Sequence, residues 1–332
     1  MFNKMMKGMK FSVITVLLAM SVISLASAQT DKEVIDSYNK AVQLLNSDTK
    51  AAIAAFEKCV SLANEVEELG DKAAESKKLA EDQIPKLYYK LAVQSYKKRD
   101  FQGAIDNFRE TAKAGKKYGN TALAQKSERL IPKVYYAWGK QEYAKKNYDN
   151  ALKIFDEGLG VEPNLASAWL GKALVYDKLK QEDKMKEAAD KAIEIAGRIH
   201  DQKTLTSAQK FMRNYTYNHA VMAIQGNKTD VAMKYLQSSV SYGNNSPDVY
   251  YELAKLYNTK GKYNEALNHI RKAISLDHGN EVVKARYYYT LGKIYENMDK
   301  KAEACSAFKK ALHPPYEESA KYEIDNVLKC GK

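Results

Sequence analysis

The sequence has 332 residues, 53 Lys and Arg against 41 Asp and Glu for a net charge of +12, and 45% hydrophobic residues. With only 6 Pro and 16 Gly it suits helices and excludes general disorder. It is longer than the roughly 250–300 residues at which a single compact core stops growing, so its apolar residues must serve stacked units or several domains.

The first stretch stands apart. Lys4, Lys7 and Lys10 precede an apolar run from Phe11 to Met20, continued by Val22, Ile23 and Leu25, and Ala26-Ser27-Ala28 places small residues at the two positions a signal peptidase reads. This order predicts a signal peptide over residues 1–28, cleaved between Ala28 and Gln29, and an exported chain that is periplasmic or extracellular. An uncleaved membrane anchor is the competing reading. Ser12, Ser21 and Ser24 interrupt a run already short of the roughly 20 residues that a span needs. No Cys follows the small residues, which argues against a lipid anchor. Without the three lysines the net charge falls from +12 to +9. In an exported chain that balance points to an acidic partner segment, an anionic polymer or a lipid surface, and away from nucleic acid. Most of the lysines fall between apolar stripe positions, where they solvate helix surfaces.

From residue 33 onward one pattern recurs. Residues 29–84 hold its weakest copy, with Tyr38, Ala41, Leu44 and Leu45, then Ala52, Phe56 and Cys59. The next, near 85–118, has Tyr88, Leu91, Ala92 and Tyr96, then Ala104, Phe108 and Thr111. The unit near 132–165 has Tyr135, Trp138, Gly139 and Tyr143, then Ala151, Phe155 and Gly158, and it ends at Pro163-Asn164. Units near 166–199 (Trp169, Ala173, Tyr176, then Met185, Ala189, Ala192) and 213–246 (Ala220, Ala223, Ala232, Leu236) follow. The clearest is 247–280, where Tyr250, Leu253, Ala254 and Tyr257 are answered by Ala266, Ile270, Ala273 and Ile274 at helical spacing. Ser246-Pro247 is an N-cap and first-turn pair, and Gly261-Lys262 breaks the chain midway. A unit near 285–318 (Tyr288, Leu291, Gly292, Tyr295, then Ala304, Phe308, Ala311) completes seven helical hairpins. The last segment, 319–332, reads as a capping helix: Ala320, Ile324, Val327 and Leu328 form a stripe, with Lys321, Glu323, Asp325 and Lys329 facing away.

These units resemble the tetratricopeptide repeat, whose first helix carries an aromatic, a Leu-Gly-like pair and a Tyr, and whose second carries Ala, an aromatic or apolar residue, and Ala. The steps from 132 to 166 and from 213 to 247 equal the family's period of about 34 residues. The longer steps add Glu67–Ile84, Gly119–Ile131 and His200–Met212. These segments contain no Pro–Gly linker and are expected to lengthen the second helices of their units, leaving residues 29–84 with an extended second helix. The near-copies Ile84-Pro85-Lys86-Leu87-Tyr88-Tyr89 and Ile131-Pro132-Lys133-Val134-Tyr135-Tyr136 are internal evidence of duplication. The resemblance implies an all-α, right-handed superhelical solenoid closed by a C-terminal capping helix.

It also implies where a partner would sit. Carried over by position, Tyr88, Tyr135, Trp169, Tyr250 and Tyr288 are core, while Tyr89, Tyr136, Leu170, Tyr217, Tyr251 and Tyr289 line the concave groove. Lys140, Lys255 and Lys293 lie one turn onward, and Lys86, Lys133 and Arg286 one turn before. Tyr offers flat area with a polar tip, a composition favoured at binding surfaces; the same rings could instead fill space between adjacent first helices. The Lys and Asn set of the family's carboxylate-clamp members is absent apart from Asn218, so capture of a terminal carboxylate is not expected.

No catalytic constellation is present. The five His (His200, His219, His269, His278, His313) form no metal-binding spacing, no Gly-rich phosphate loop occurs, and the pairs Glu67-Glu68 and Glu317-Glu318 diverge on a helix. No enzyme, cofactor or metal is expected. His219 reads as a packing residue and Cys59 as a buried thiol. If the last helices are antiparallel neighbours, Cys305 and Cys330 come together and export permits a disulfide; two free thiols remain the alternative. The reading is an exported, non-enzymatic scaffold that holds an extended peptide or an envelope-assembly partner. Its alternative is a protein that binds an anionic envelope polymer or a lipid surface through its basic residues.

Overall fold

The computed structural model describes residues 29–330, and the expected signal over 1–28 lies outside them. Among the described residues every regular element is helical. Two compact units divide the chain, the first ending at Met185 and the second beginning at Lys186. In the first unit lie α1 (29–44), α2 (Thr49–Ala63), α3 (Asp71–Lys97), α4 (Phe101–Lys117), α5 (Thr121–Ala144), α6 (Tyr148–Val161) and α7 (Ala166–Lys178). The helix α8 (Glu182–Arg198) runs into the second unit, which continues with α9 (Gln202–Gln225), α10 (Thr229–Ser241), α11 (Pro247–Thr259), α12 (Tyr263–Leu276), α13 (Glu281–Asn297), α14 (Lys301–Lys310) and α15 (Glu317–Tyr322). Each unit is a stack of helical hairpins: α3/α4 and α5/α6 pair in the first, α9/α10, α11/α12 and α13/α14 in the second.

The hairpins from α3/α4 onward share one turn, and it sets their geometry. Arg99, Lys146, Lys180, Asn227, Gly261 and Asp299 all adopt positive φ, between 56° and 69°. In each turn the next residue closes the preceding helix by a backbone bond five residues back, as in Asp100 N–H to Ser95 O (3.0 Å), Asn147 to Glu142 (2.9 Å) and Lys262 to Tyr257 (2.9 Å). This is the left-handed helix stop that favours glycine. Only Gly261 supplies one, so the closing hydrogen bonds and the packing on either side hold five other side chains in a conformation costing about 1–2 kcal/mol each. At the α5–α6 turn Glu142 is buried and accepts from Asn147 (2.9 Å), Lys145 (2.9 Å) and Asn150 (3.1 Å). Those hydrogen bonds hold its carboxyl down at about 2.

Close approach is bought by glycine where aromatic rings are largest. Phe155 of α6 is 1% exposed, and a Cβ at either Gly139 of α5 or Gly171 of α7 would come within 3.0 Å of its ring. The same relation joins Gly292 of α13 to Phe308 of α14 in the second unit.

Three expectations change. The inserted residues extend first helices, not second ones: α2 stops at Ala63, and α3, α5 and α9 run for 27, 24 and 24 residues. New caps explain it. Asn120 accepts from Leu123 N–H (3.2 Å) and Asp201 from Thr204 N–H (3.1 Å), after Gly119 and His200 have turned the chain at positive φ. Pro85 and Pro132, expected at helix starts, lie inside α3 and α5; each is buried, and its packing offsets the lost ladder bond. Second, the buried tyrosine of α13 is Tyr287 (0% exposed), while Tyr288 is half-buried, as are Tyr88 and Trp169; Tyr135 and Tyr250 are core. Tyr287 donates to Asp277 (2.7 Å) and meets Arg286, and burial pushes its hydroxyl up to about 12. Third, the cap is short. After α15 comes a π-helical turn, Glu323–Val327, closed by Leu328 N–H to Glu323 O. The wider turn breaks the expected stripe: Glu323 is buried and Val327 is exposed.

The register of α13 has a direct test. Tyr287→Ala empties a packed site with two hydrogen-bond partners and is expected to cost about 3–5 kcal/mol in thermal and denaturant melts. Tyr288→Ala should cost markedly less. Equal losses would return Tyr288 to the core.

Candidate functional site

The first helices α3, α5 and α7 lie side by side in the first unit, and α11 and α13 do so in the second. These helices carry the expected groove residues except Tyr217, which lies on α9, and the tyrosines there are half-buried rather than free. Tyr89 packs on Phe108 at 5.6 Å between ring centroids, Tyr136 on Phe155 at 6.2 Å and Tyr289 on Phe308 at 5.5 Å. The three pairs have identical spacing in sequence, and Tyr38 with Phe56 (5.6 Å) comes within one residue of it. Each of these rings therefore bridges its own hairpin as well as lining a face. In α11 the second-helix partner is Ile270, and Tyr251 instead meets Tyr287 edge-on at 5.4 Å.

In the first unit the cations on this face are exposed. Lys140 stands over the Tyr136 ring (5.9 Å), and Lys126 over Tyr89 (4.7 Å). Lys133 is exposed between them on α5, while Lys86 is paired with Asp82 at 2.6 Å. On α7, Leu170 is half-buried, and its neighbour Trp169 lies under Lys172, which is itself buried and bound to Asp156 (2.6 Å).

In the second unit every expected cation has an acidic partner. Arg286 binds Asp248 (2.6 Å), Lys255 binds Glu252 (3.0 Å), and Lys293 binds Glu296 (2.5 Å) and Glu323 (3.3 Å). Burial acts to lower the Lys293 ammonium, but Glu296 and Glu323 outweigh it and hold it protonated. Tyr217 is half-buried, and burial followed by the nearby Asp248 and Glu252 raises its hydroxyl. The C-terminal segment also covers this face. The Tyr316 ring lies 5.3 Å from Tyr289, and burial raises the hydroxyls of both tyrosines. A disulfide between Cys305 and Cys330, with Cα atoms 5.9 Å apart, ties the end of that segment to α14.

Several residues here escaped the sequence reading. Lys126 was hidden because its segment was assigned to a second helix, although it lies a helical repeat before Lys133. Tyr316 and Glu323 carried no signal, since their roles depend on where the chain end returns, and Asp248 none because its partner Arg286 lies on another helix. His219 sits between Tyr215 (4.2 Å) and Tyr235 (5.2 Å). Asn218 is exposed. Among the described residues no group of three or more His, Cys, Asp or Glu is placed to hold a metal ion, and no helix is long and apolar enough to cross a membrane.

Cys59 is a free thiol, fully buried, and burial with the Glu81 charge pushes it up to about 11. Alkylation of the native chain without reductant should therefore modify no cysteine, and alkylation after unfolding one, read by intact mass. Three modified thiols in the unfolded chain would exclude the Cys305–Cys330 bond.

A family model described as tetratricopeptide repeat matches residues 247–280, and a second of the same description matches 166–198 and 285–312. No curated protein matches the chain. Among solved structures it is similar to the MamA protein (23% identity, 58% of this chain and 96% of that one, TM-score 0.29). It is also similar to YrrB, titled a TPR protein with an unusual peptide-binding site (18% identity, 63% and 94%, TM-score 0.31). A tetratricopeptide repeat protein from Parabacteroides merdae matches at 16% identity over 91% of this chain and 98% of that one, with a TM-score of 0.29. The matched stretches fall on α7–α8, α11–α12 and α13–α14, so these three hairpins of the chain are tetratricopeptide repeats.

Proposed function

We propose that the protein is an exported, non-enzymatic scaffold that binds an extended peptide or an envelope-assembly partner across the first-helix face of its first unit. The repeat family supports protein or peptide binding as the general role. The contrast between the two faces supports the finer reading. In the second unit the cations are neutralised by the chain's own carboxylates, Tyr289 is met by Tyr316, and Tyr251 is met by Tyr287. In the first unit Tyr89 and Tyr136 carry exposed lysines over their rings. Flat aromatic area beside a cation is a surface composition that favours binding. The export step rests on the basic, apolar and small-residue order of residues 1–28.

A second reading, an anionic envelope polymer or a lipid surface, draws on the same exposed lysines. Screening separates the two, because attraction between exposed charges fades beyond about 8 Å at physiological ionic strength.

The test is capture from an envelope fraction with the native chain, whose N-terminus should be Gln29. Tyr136→Ala should weaken capture severalfold and lower the melting temperature less than Tyr135→Ala, which removes a ring only 5% exposed. Capture that survives Tyr136→Ala at a temperature where both variants are folded would reduce the tyrosine to packing. Capture that vanishes with added salt, whatever the tyrosine, would favour the polymer or lipid reading.

A further inference from the structure

The 24-residue helix α5 carries a charged face that the rest of the chain leaves uncompensated. At 3.6 residues per turn, Lys126, Arg129, Lys133, Tyr136 and Lys140 share one side of it. All four cations are exposed. Elsewhere lysines are commonly neutralised by an acid one turn away, as in Lys86–Asp82, Lys186–Asp190, Lys191–Glu187 and Lys255–Glu252. On α5 the only acids are Glu128 and Glu142, both on the opposite side. Glu128 is bound to Lys116 of α4 (2.5 Å), and Glu142 is buried in the α5–α6 turn. Among the described residues no carboxylate is paired with Lys126, Arg129, Lys133 or Lys140. Arg129 has only a long contact to Gln125 (3.5 Å), and Lys126 and Lys140 rest on tyrosine rings.

We propose that this face of α5 is a docking ridge for an extended acidic peptide segment, internal to its chain, with a carboxylate at about every third residue. The proposal rests on the reading of the first unit as a peptide-binding scaffold and names the class of peptide. Charge complementarity selects the acid. Spacing selects the register: Lys126, Lys133 and Lys140 follow one another at about 10 Å along the helix axis, given a rise of 1.5 Å per residue. Three residues of a peptide extended in the polyproline II form, at about 3.1 Å each, cover nearly the same distance and bring every third side chain back to the same face. The rings of Tyr89 and Tyr136 lie beneath the lysines at both ends and offer flat contact to the intervening side chains. A terminal carboxylate is not required, since the charges are spread along the ridge rather than gathered at one end.

The probe is a fluorescein-labelled peptide with Glu at its first, fourth and seventh positions and Pro, Ser or Tyr between, followed by anisotropy at low and physiological salt. Binding should fall at least about tenfold in Lys126→Glu/Lys133→Glu/Lys140→Glu. It should persist in Lys50→Glu/Lys58→Glu/Lys153→Glu, which makes the same charge change on α2 and α6. The neutral triple change to Gln should give an intermediate loss, and melts of all three variants check the fold. A peptide with its three Glu contiguous should bind more weakly. Equal loss in the two Glu variants, no preference for the spaced peptide, or binding of phosphatidylglycerol vesicles with the peptide ignored would overturn the proposal. If the peptide fails while Tyr136→Ala still weakens envelope capture, the acidic class is wrong and the scaffold stands. If capture also survives Tyr136→Ala, the tyrosine is packing and the first-helix face of the first unit is no longer supported as the binding surface.

Discussion

Two helices of a hairpin can lie close only if something gives way to the aromatic ring between them. In this chain the yielding residue is small, and the ring is a phenylalanine on the second helix. Phe155 is held between Gly139 and Gly171, where an added Cβ would collide with it, and Phe308 stands against Gly292 in the same way. Everything on the first-helix face follows from that seat. Because the phenylalanine reaches across its hairpin, the tyrosine at matching depth on the first helix meets it, as Tyr89 meets Phe108 and Tyr289 meets Phe308. A ring with one side on the core keeps few rotamers, and such preorganisation lowers the entropic cost of a later contact.

The two units use this face differently, and electrostatics makes the difference. In the second, Glu323 enters from a π-helical turn and Tyr316 from the preceding loop, so the surface is finished by the chain itself. Burying Glu323 beside Lys293 pairs the two charges, with one carboxylate oxygen left without a hydrogen bond, and leaves little for a partner. The first unit has no comparable return of chain over Tyr89 and Tyr136 among the described residues. The lysines of α5 stay in water, where an isolated pair contributes little; only several aligned charges can select a partner.

Much of the fold was legible because period and small residues announce it. The hairpin 247–280 was readable to its caps: Ser246 accepts from Asp248 N–H and Pro247 opens α11. What failed was local backbone chemistry. Five of the six hairpin turns after α3 place Arg, Lys, Asn or Asp at positive φ, so no glycine marks the left-handed position. Pro85 and Pro132 sit inside helices because the true starts, at Gly70 and Asn120, lie more than a full turn upstream. The tyrosine doublets and triplet were visible, yet their register was not secure: Tyr287, Tyr288 and Tyr289 are adjacent, and a shift of one residue exchanges core for edge. The groove residues were named by position and the Glu252–Lys255 pair was readable from its spacing, but pairing by Asp248 and Glu323 depends on tertiary proximity that no spacing encodes.

The account turns on which face meets the partner, and site-specific photo-crosslinking reads that without relying on affinity. With p-benzoylphenylalanine in place of Tyr136 on α5, irradiation in an envelope fraction should give a discrete crosslinked species. The same probe in place of Lys153 on α6 should give none. Crosslinks from position 153 and none from 136 would contradict the account and move the binding surface to the second helices.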